Sequence, residues 1–264
     1  MNILQTLILS VVEGITEFLP ISSTGHLILV SNLLKIPQTE FVKSFEIIIQ
    51  FGAILAIVVI YFKKLILNFD FKLWKNILIA FLPSTIFGLL FYKLIKTYFI
   101  GSSIVVIWSL LIGGIVMLIF EKLFKKKNKQ SLPLSGKEEF RNKDYLLIGL
   151  FQVFSMIPGV SRAFATIFGG MVVGMKREKA TEFSFFLAIP TMFAASALDL
   201  VKTDLSIWTG SDFKILILGF IGSFVTAYIT VKWLIKFVQN NNFNIFGWYR
   251  IILALLFFVL YLFS

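Results

Sequence analysis

Two short polar stretches in an otherwise apolar chain carry the side chains that could do chemistry. The first stretch runs from Glu13 to His26 and combines two carboxylates, the hydroxyls of residues 22–24 and the single imidazole of the 264-residue chain. The second runs from Pro158 to Arg162 and adds a guanidinium. Ionisable groups at membrane depth usually mark a reaction site or a transport path. An acid, a base and a nucleophile beside a guanidinium predict chemistry on a phosphate group at a membrane.

The two carboxylates of the first stretch, Glu13 and Glu17, stand four residues apart. This spacing places both side chains on one face of a helix, where they repel each other unless a cation or a proton lies between them. We predict that they hold Mg²⁺ or Ca²⁺, because these cations prefer oxygen ligands, and that Glu17 also takes part in catalysis. Two alternatives stay open: one carboxyl keeps a proton, or both are hydrogen-bonded to neighbouring helices.

The hydroxyls of Ser22, Ser23 and Thr24 precede Gly25 and an apolar run. Serine and threonine are favoured helix N-caps, and a helix N-terminus also binds anions. One hydroxyl can therefore cap while another attacks phosphorus, and Ser22, Ser23 and water all stay open as the nucleophile. Ser23 lies three residues before His26 on the same helical face, so we predict His26 as the general base and then the general acid.

The guanidinium of the second stretch, Arg162, has a planar fork that matches phosphate oxygens. Gly159 brings a backbone N–H group to the same place, and Ser161 and Thr166 bring hydroxyls. We predict that these four residues bind the substrate phosphate. The alternative is a structural ion pair between Arg162 and a glutamate of the first stretch.

Composition indicates that these polar stretches lie in a membrane protein. Hydrophobic residues make up 58% and charged residues 15%, and the mean hydropathy is +0.91, whereas soluble domains are about 45–50% apolar and about 25% charged. The net charge of +11 comes from lysines clustered between apolar spans, which is typical of cytoplasmic loops and gives no indication of a nucleic-acid partner. The chain has no cysteine, so a metal site must use oxygen ligands or His26.

The predicted fold is an all-α polytopic membrane protein with about six transmembrane helices and two re-entrant helical hairpins. Residues 2–34 and 145–175 are the hairpins, because proline and glycine interrupt each apolar run at its polar stretch. The six spans are long enough to cross a bilayer, at residues 43–62, 76–95, 101–121, 181–200, 213–237 and 246–263.

The two halves of the chain resemble each other, since residues 17–23 have an echo in residues 155–161. Placing the lysine-rich loops in the cytoplasm makes the first hairpin enter from outside and the second from inside. This arrangement predicts an inverted-topology repeat whose polar breaks meet near the midplane. We expect a first repeat over 1–121, a cytoplasmic linker over 122–143 and a second repeat over 144–264.

The string Glu-Gly-x-Thr-Glu-Phe-Leu-Pro-x-Ser-Ser-Thr-Gly-His and the string Pro-Gly-x-Ser-Arg closely resemble the undecaprenyl-diphosphate phosphatase family of the bacitracin-resistance type. The resemblance covers essentially the whole chain. It implies a bacterial inner-membrane enzyme that converts undecaprenyl diphosphate to the monophosphate, recycles the lipid carrier of peptidoglycan synthesis and confers bacitracin resistance. It also implies a divalent cation and an active site open to the periplasm. By position, the family's functional residues correspond to Glu13, Glu17, Ser22, Ser23, His26 and Arg162.

One departure from the family pattern concerns the second string, which usually continues Ser-Arg-Ser-Gly-x-Thr. Here Ala163 and Phe164 replace the second serine and the glycine, which leaves the roles of these two positions open. The rival function is an inverted-repeat transporter or lipid flippase that uses the same polar cavity. A purely structural scaffold leaves the buried charges unexplained. The expected partners are a polyprenyl diphosphate and membrane lipid, and a homodimer is compatible with the sequence.

Overall fold

The computed structural model describes residues 1–98, 102–129, 140–202 and 208–262, and these ranges contain ten α-helices and no strand. Six helices are long and apolar enough to cross a membrane, which confirms the predicted all-α fold with six spans. These helices are α3 (Glu40–Ile60), α4 (Phe71–Tyr98), α5 (Ser103–Lys129), α8 (Arg177–Lys202), α9 (Gly210–Asn240) and α10 (Asn244–Leu262).

Several spans begin before their apolar segments, because polar residues form the first turn. The span predicted at 43–62 begins at Glu40. The preceding residue, Thr39, is the N-cap, and its side chain accepts a hydrogen bond from the backbone N–H of Val42 at 3.3 Å. The span predicted at 213–237 begins at Gly210, where Thr209 and Asp212 form a reciprocal cap. Hydropathy alone does not detect such turns, whereas N-cap chemistry does.

Four shorter helices form two pairs at the positions of the predicted hairpins. The first pair is α1 (Ile3–Thr16) and α2 (Ser23–Leu33), and the second is α6 (Asn142–Val153) and α7 (Arg162–Val172). The longest has 14 residues and therefore spans about 21 Å, too short for a bilayer core of about 30 Å. The members of each pair contact each other. Entry and exit of each pair on one membrane side stays a prediction.

The two pairs are interrupted at what we call the first break, residues 17–22, and the second break, residues 154–161. Each contains a proline, Pro20 or Pro158, which cannot donate a backbone hydrogen bond. Each also contains one residue with a positive φ, at 74° for Ser22 and 90° for Gly159. The chain therefore turns sharply within each break before the next helix begins.

The helices of the two halves pack in a repeated pattern. Helix α1 packs on α9 of the other half, and α6 packs on α4; in addition, α3 contacts α8, and α5 contacts α10. Gly14 and Gly149 make the first two contacts close, since an added Cβ would lie 1.8 Å from the Thr226 Oγ1 atom or 2.2 Å from the Ala80 carbonyl oxygen. Small residues allow such close approach in membrane proteins. Each half thus contributes one short helix to the packing of the other half, while the predicted repeats and their inverted orientation stay predictions.

The segment predicted as a linker, 122–143, is partly helical. Helix α5 continues through Lys129 and α6 begins at Asn142. Lysine and leucine are good helix formers, so the first charged residues of the segment extend the transmembrane helix. Residues 130–139 lie outside the described ranges.

Candidate active site

The two breaks lie against each other. A Cβ atom added to Gly25, just after the first break, would lie 3.4 Å from the Cα atom of Gly159. Ser161 donates a hydrogen bond of 3.4 Å to the carbonyl oxygen of Leu19. A cavity of about 220 Å³ occupies this junction. Its polar lining comes from both breaks, from the first turns of α2 and α7, and from α3 and α8: Glu17, Ser22, Ser23, Thr24, Gln50, Ser155, Ser161, Arg162 and Thr191.

Glu17, in the first break, connects Ser23 at the start of α2 with Arg162 at the start of α7. Its Oε1 atom lies 3.1 Å from the Nη2 atom of Arg162, and its Oε2 atom accepts a hydrogen bond from the hydroxyl of Ser23. Both Glu17 and Ser23 are buried. The contact between Glu17 and Arg162 is the ion pair that the sequence offered as the alternative to phosphate binding. It places a carboxylate, a hydroxyl and a guanidinium around one point of the cavity.

Arg162 also keeps donor capacity that the ion pair does not use. Its Nη1 atom donates to the carbonyl oxygen of Ser184 at 3.0 Å, while its Nε atom is buried without a hydrogen-bond partner among the described residues. A buried N–H group without an acceptor is unfavourable. Arg162 therefore carries one N–H group that no acceptor among the described residues satisfies.

His26 makes no hydrogen bond to Ser23, although both lie on α2 as predicted. Its Nδ1 atom lies 2.7 Å from the carbonyl oxygen of Ser22, and its Nε2 atom lies 2.9 Å from the hydroxyl of Tyr249. Both ring nitrogens are therefore engaged elsewhere. The carboxylate of Glu17, and not the imidazole, is the acceptor that faces the Ser23 hydroxyl.

The two adjacent serines at the end of the first break and the start of α2 have different surroundings. Ser22 is the N-cap of α2, where its side chain accepts a hydrogen bond of 3.4 Å from the backbone N–H of Gly25. Ser23 is the first residue of α2, and its hydroxyl is bonded to Glu17. The capping alternative thus describes Ser22, while Ser23 keeps a hydroxyl beside a potential base.

Of the four predicted phosphate-binding residues, Ser161 and Arg162 line the cavity. Ser161 also caps α7 by accepting a hydrogen bond from Phe164 N–H at 3.1 Å. Thr166 is fully buried one turn further along α7, where its hydroxyl lies 2.6 Å from the Ser184 hydroxyl and donates to the Arg162 carbonyl oxygen. Gly159 directs its carbonyl oxygen toward Arg250, which donates to it at 3.0 Å.

Comparison with known proteins shows the family to which this chain belongs. The model of the family described as "Bacitracin resistance protein BacA" matches residues 6–256. This chain belongs to the BacA family. A protein of Aquifex aeolicus is 50% identical over 98% of this chain and 98% of its own length. A protein of Sulfurihydrogenibium is 48% identical over 99% of this chain and 100% of its own length. Both are named undecaprenyl-diphosphatase, and the resemblance seen in the two strings is confirmed.

The positions at which this BacA-family chain departs from the family pattern are buried. Ala163 is fully buried and Phe164 is 7% exposed. The ring of Phe164 lies 6.0 Å from the guanidinium carbon of Arg250. Neither residue lines the cavity, so the changed positions affect the support of the site and not its polar lining.

The residues predicted to hold a cation have the appropriate donor atoms. Glu13 is fully buried, and neither of its carboxylate oxygens has a hydrogen-bond partner among the described residues. Its charged neighbours are Glu17, Glu46 and Arg162. Within the described ranges, no three residues of the types His, Cys, Asp or Glu are grouped as a metal centre. The unpaired oxygens of Glu13 beside Glu17 nevertheless fit a hard divalent cation, which takes carboxylate oxygens and water.

Sequence reasoning missed two residues of α10, Tyr249 and Arg250, which contact α2 and the two breaks respectively. Tyr249 bonds to His26, and Arg250 donates to Pro20 and Gly159. All three contacts join residues more than 90 positions apart, so no local pattern reveals them. One signal was present: Arg250 is an ionisable residue inside a predicted span, and such residues call for a buried partner.

Proposed function

We propose that this chain is a membrane phosphatase that hydrolyses undecaprenyl diphosphate to undecaprenyl monophosphate and phosphate. The observation that carries the proposal is the contact of the Ser23 hydroxyl with the Glu17 carboxylate, beside Arg162 in one cavity. A hydroxyl next to a base is the arrangement of an activated nucleophile. The names of the relatives support the same substrate.

In the proposed reaction, the Ser23 oxygen attacks the terminal phosphorus while Glu17 takes the hydroxyl proton. The new Ser23 oxygen–phosphorus bond replaces the bond from that phosphorus to the bridging oxygen, and undecaprenyl monophosphate leaves. Glu17 passes the serine proton to the departing monophosphate and is again a carboxylate. It then takes a proton from the water that attacks the phosphoserine phosphorus and returns a proton to the Ser23 oxygen as the Ser23 oxygen–phosphorus bond breaks and phosphate is released. Direct attack by water next to Glu17 is the competing route, and removal of the Ser23 hydroxyl distinguishes the two.

Arg162 stabilises the charge on the transferred phosphoryl group. Its Nε–H has no acceptor among the described residues, and its Nη2 atom donates to Glu17. Phosphoryl transfer depends mainly on positioning and on neutralising charge, and an arginine fork supplies both. The ion pair with Glu17 holds Arg162 in place before substrate arrives, so the ion-pair and phosphate-binding interpretations are successive states of one residue.

His26 is a positioning residue in this scheme. Its Nδ1 contact with the Ser22 carbonyl oxygen and its Nε2 contact with Tyr249 fix the first turn of α2. Ser22, Ser161 and Thr166 likewise support the helix ends that present Ser23 and Arg162. In this proposal Glu17 takes the role of general base that the sequence pattern predicts for His26.

Glu13, with Glu17, would hold Mg²⁺ or Ca²⁺. A divalent cation supplies positive charge that offsets the negative charge of the diphosphate. Without a cation or a proton, the carboxylates of Glu13 and Glu17 repel each other in a buried site. This repulsion is the physical reason to expect loss of activity in the presence of a chelator.

We place the enzyme in the bacterial inner membrane, with the cavity open toward the periplasm. The lysine-rich loops favour this orientation. Hydrolysis there would recycle the lipid carrier of peptidoglycan synthesis and lower sensitivity to bacitracin. The transporter alternative receives no support from the relatives reported above, and a carrier does not need a hydroxyl bonded to a carboxylate.

The test is phosphate release from undecaprenyl diphosphate by purified protein in detergent, with and without EDTA followed by Mg²⁺ or Ca²⁺. We expect release that EDTA abolishes and an added cation restores. Ser223→Ala is a matched control, because the buried Ser223 hydroxyl donates only to backbone carbonyls outside the cavity. Absence of release from well-folded protein with either cation would refute the proposed function.

A further inference from the structure

Arg250 is a fully buried arginine whose hydrogen-bond partners are backbone carbonyl oxygens. Its Nη1 atom donates to Pro20 at 3.2 Å, and its Nη2 atom donates to Gly159 and to Ser109, both at 3.0 Å. Its Nε atom donates to Leu110 at 3.4 Å. It forms no ion pair with any carboxylate in the described residues, so these four carbonyl oxygens are what stabilise the buried charge.

The acceptors include one carbonyl from each break. Pro20 lies in the turn of the first break, and Gly159 has a φ of 90° in the second. Carbonyl groups in such turns lack the donor that a continuing helix provides, and lipid offers none. A planar guanidinium with five N–H groups can bond to several carbonyls at once in fixed directions.

We propose that Arg250 is a positioning residue that clamps the two breaks together and thereby sets the distance between Glu17 and Arg162. The proposal rests on the proposed function, because it concerns the alignment of that site. Glu17 begins the first break, whose residue Pro20 is held by Arg250. Arg162 follows the second break, whose residue Gly159 is held by the same guanidinium. The 3.1 Å contact across the cavity is therefore set by a residue outside it.

The fit around the guanidinium leaves little room for another arrangement. A Cβ atom added to Gly113 of α5 would lie 2.1 Å from the Nη2 atom of Arg250. The ring of Phe164, one of the residues that departs from the family pattern, lies on another side at 6.0 Å from the guanidinium carbon. Any side chain at position 113 must therefore displace the guanidinium, while its charge remains.

The preceding residue, Tyr249, adds a second contact to the same helix. Its hydroxyl lies 2.9 Å from the Nε2 atom of His26, and the two rings are nearly parallel at 5.6 Å. The segment from Pro20 to His26, which contains Ser23, is thus held at both ends by α10. Helix α10 orients the nucleophile without touching it.

Arg250→Lys tests the clamp, because a lysine keeps the charge but cannot bond to both breaks in fixed directions. We expect kcat for phosphate release to fall about 100-fold, as for a small misplacement of reacting groups, with KM close to that of wild type. Hydrogen exchange should rise together in the backbone amides of residues 18, 19, 21 and 22 and of residues 157 and 159–161, since Pro20 and Pro158 have no amide hydrogen. Gly113→Ala should reproduce both changes while Arg250 is intact.

Arg177→Lys is the matched control. Arg177 is also an arginine in a tight contact, with Glu121 at 2.7 Å, but it joins the start of α8 to the end of α5 and to the Asn241 carbonyl oxygen. This variant should keep wild-type kcat and normal exchange in both breaks. If Arg177→Lys lowers kcat and increases exchange in the breaks as much as Arg250→Lys does, general destabilisation explains both variants and the clamp is refuted.

Wild-type kcat and normal exchange in Arg250→Lys would overturn the proposal. A fall in kcat without increased exchange in the breaks would overturn it equally, since Arg250 would then act in another way. If Arg250→Lys does not fold, the same two readouts on Gly113→Ala decide. If wild-type protein releases no phosphate, the proposed function fails, while the exchange comparison still tests the clamp.

Discussion

The first and second breaks both turn the chain and lead into a new helix, but they do so with different residues. Both turn the chain near a proline and restart a helix with a serine N-cap, at Ser22 and at Ser161. The second break makes its turn with Gly159, whereas the first places the non-glycine residue Ser22 at a φ of 74°. Such backbone strain in a non-glycine residue is concentrated at functional sites. The geometry is shared, and the chemistry is divided between a carboxylate–hydroxyl side and a guanidinium side.

This division predicts that the largest loss of activity follows from substitution of Glu17, the residue that joins the two sides. Glu17→Gln keeps the shape of Glu17 but removes the proton acceptor for Ser23 and the charge beside Arg162. We expect kcat to fall by about 10³-fold, measured as phosphate release from undecaprenyl diphosphate. Glu182→Gln is the control, because its carboxylate bonds to Lys64 outside the cavity. Equal activity of the two variants would remove Glu17 from the reaction.

A smaller loss is expected on the guanidinium side. Arg162→Lys retains a positive charge but loses the fork that contacts Glu17 and Ser184 together. We expect about a 100-fold reduction in kcat, in the range for loss of one charge-stabilising donor. Arg141→Lys, at the N-terminus of α6, provides the comparison and should retain activity. Wild-type kcat for Arg162→Lys would show that only charge, and not the fork, matters.

The smallest effect on turnover is expected at Thr166. A substitution there distinguishes a role in supporting the second break from a role in phosphate binding. Thr166→Val removes the hydroxyl bonded to Ser184 and should lower stability by about 1 kcal/mol, read as an earlier thermal transition in detergent. KM for the diphosphate should not change. A large increase in KM would instead support the prediction from sequence that Thr166 binds the substrate phosphate.

The elements were predictable from sequence because each has a local cause. Apolar length gave the six spans, and the prolines and polar stretches gave the two pairs of short helices. The ion pair of Glu17 with Arg162 was foreseen as an alternative, since a buried arginine needs a nearby acceptor. These inferences need only neighbouring residues and the high free energy of charge in hydrocarbon.

The partners within the site were less predictable, because they depend on how helix ends are oriented in three dimensions. Helical spacing allowed His26 to face Ser23, but α2 begins at Ser23, and the ring bonds back to the Ser22 carbonyl oxygen and across to Tyr249. The contact of Arg250 with Pro20 spans 230 positions. No periodicity in the sequence encodes such contacts.

The central claim, that Ser23 attacks while Ser22 caps, is tested most directly by comparing the single-turnover rates of Ser23→Ala and Ser22→Ala. Loss of a nucleophile should reduce the rate by about 10³-fold or more in Ser23→Ala. Loss of the cap in Ser22→Ala should lower the free energy of unfolding by about 1 kcal/mol. Most of the wild-type single-turnover rate should remain in this variant. Wild-type turnover by Ser23→Ala would contradict the claim and assign the attack to water beside Glu17.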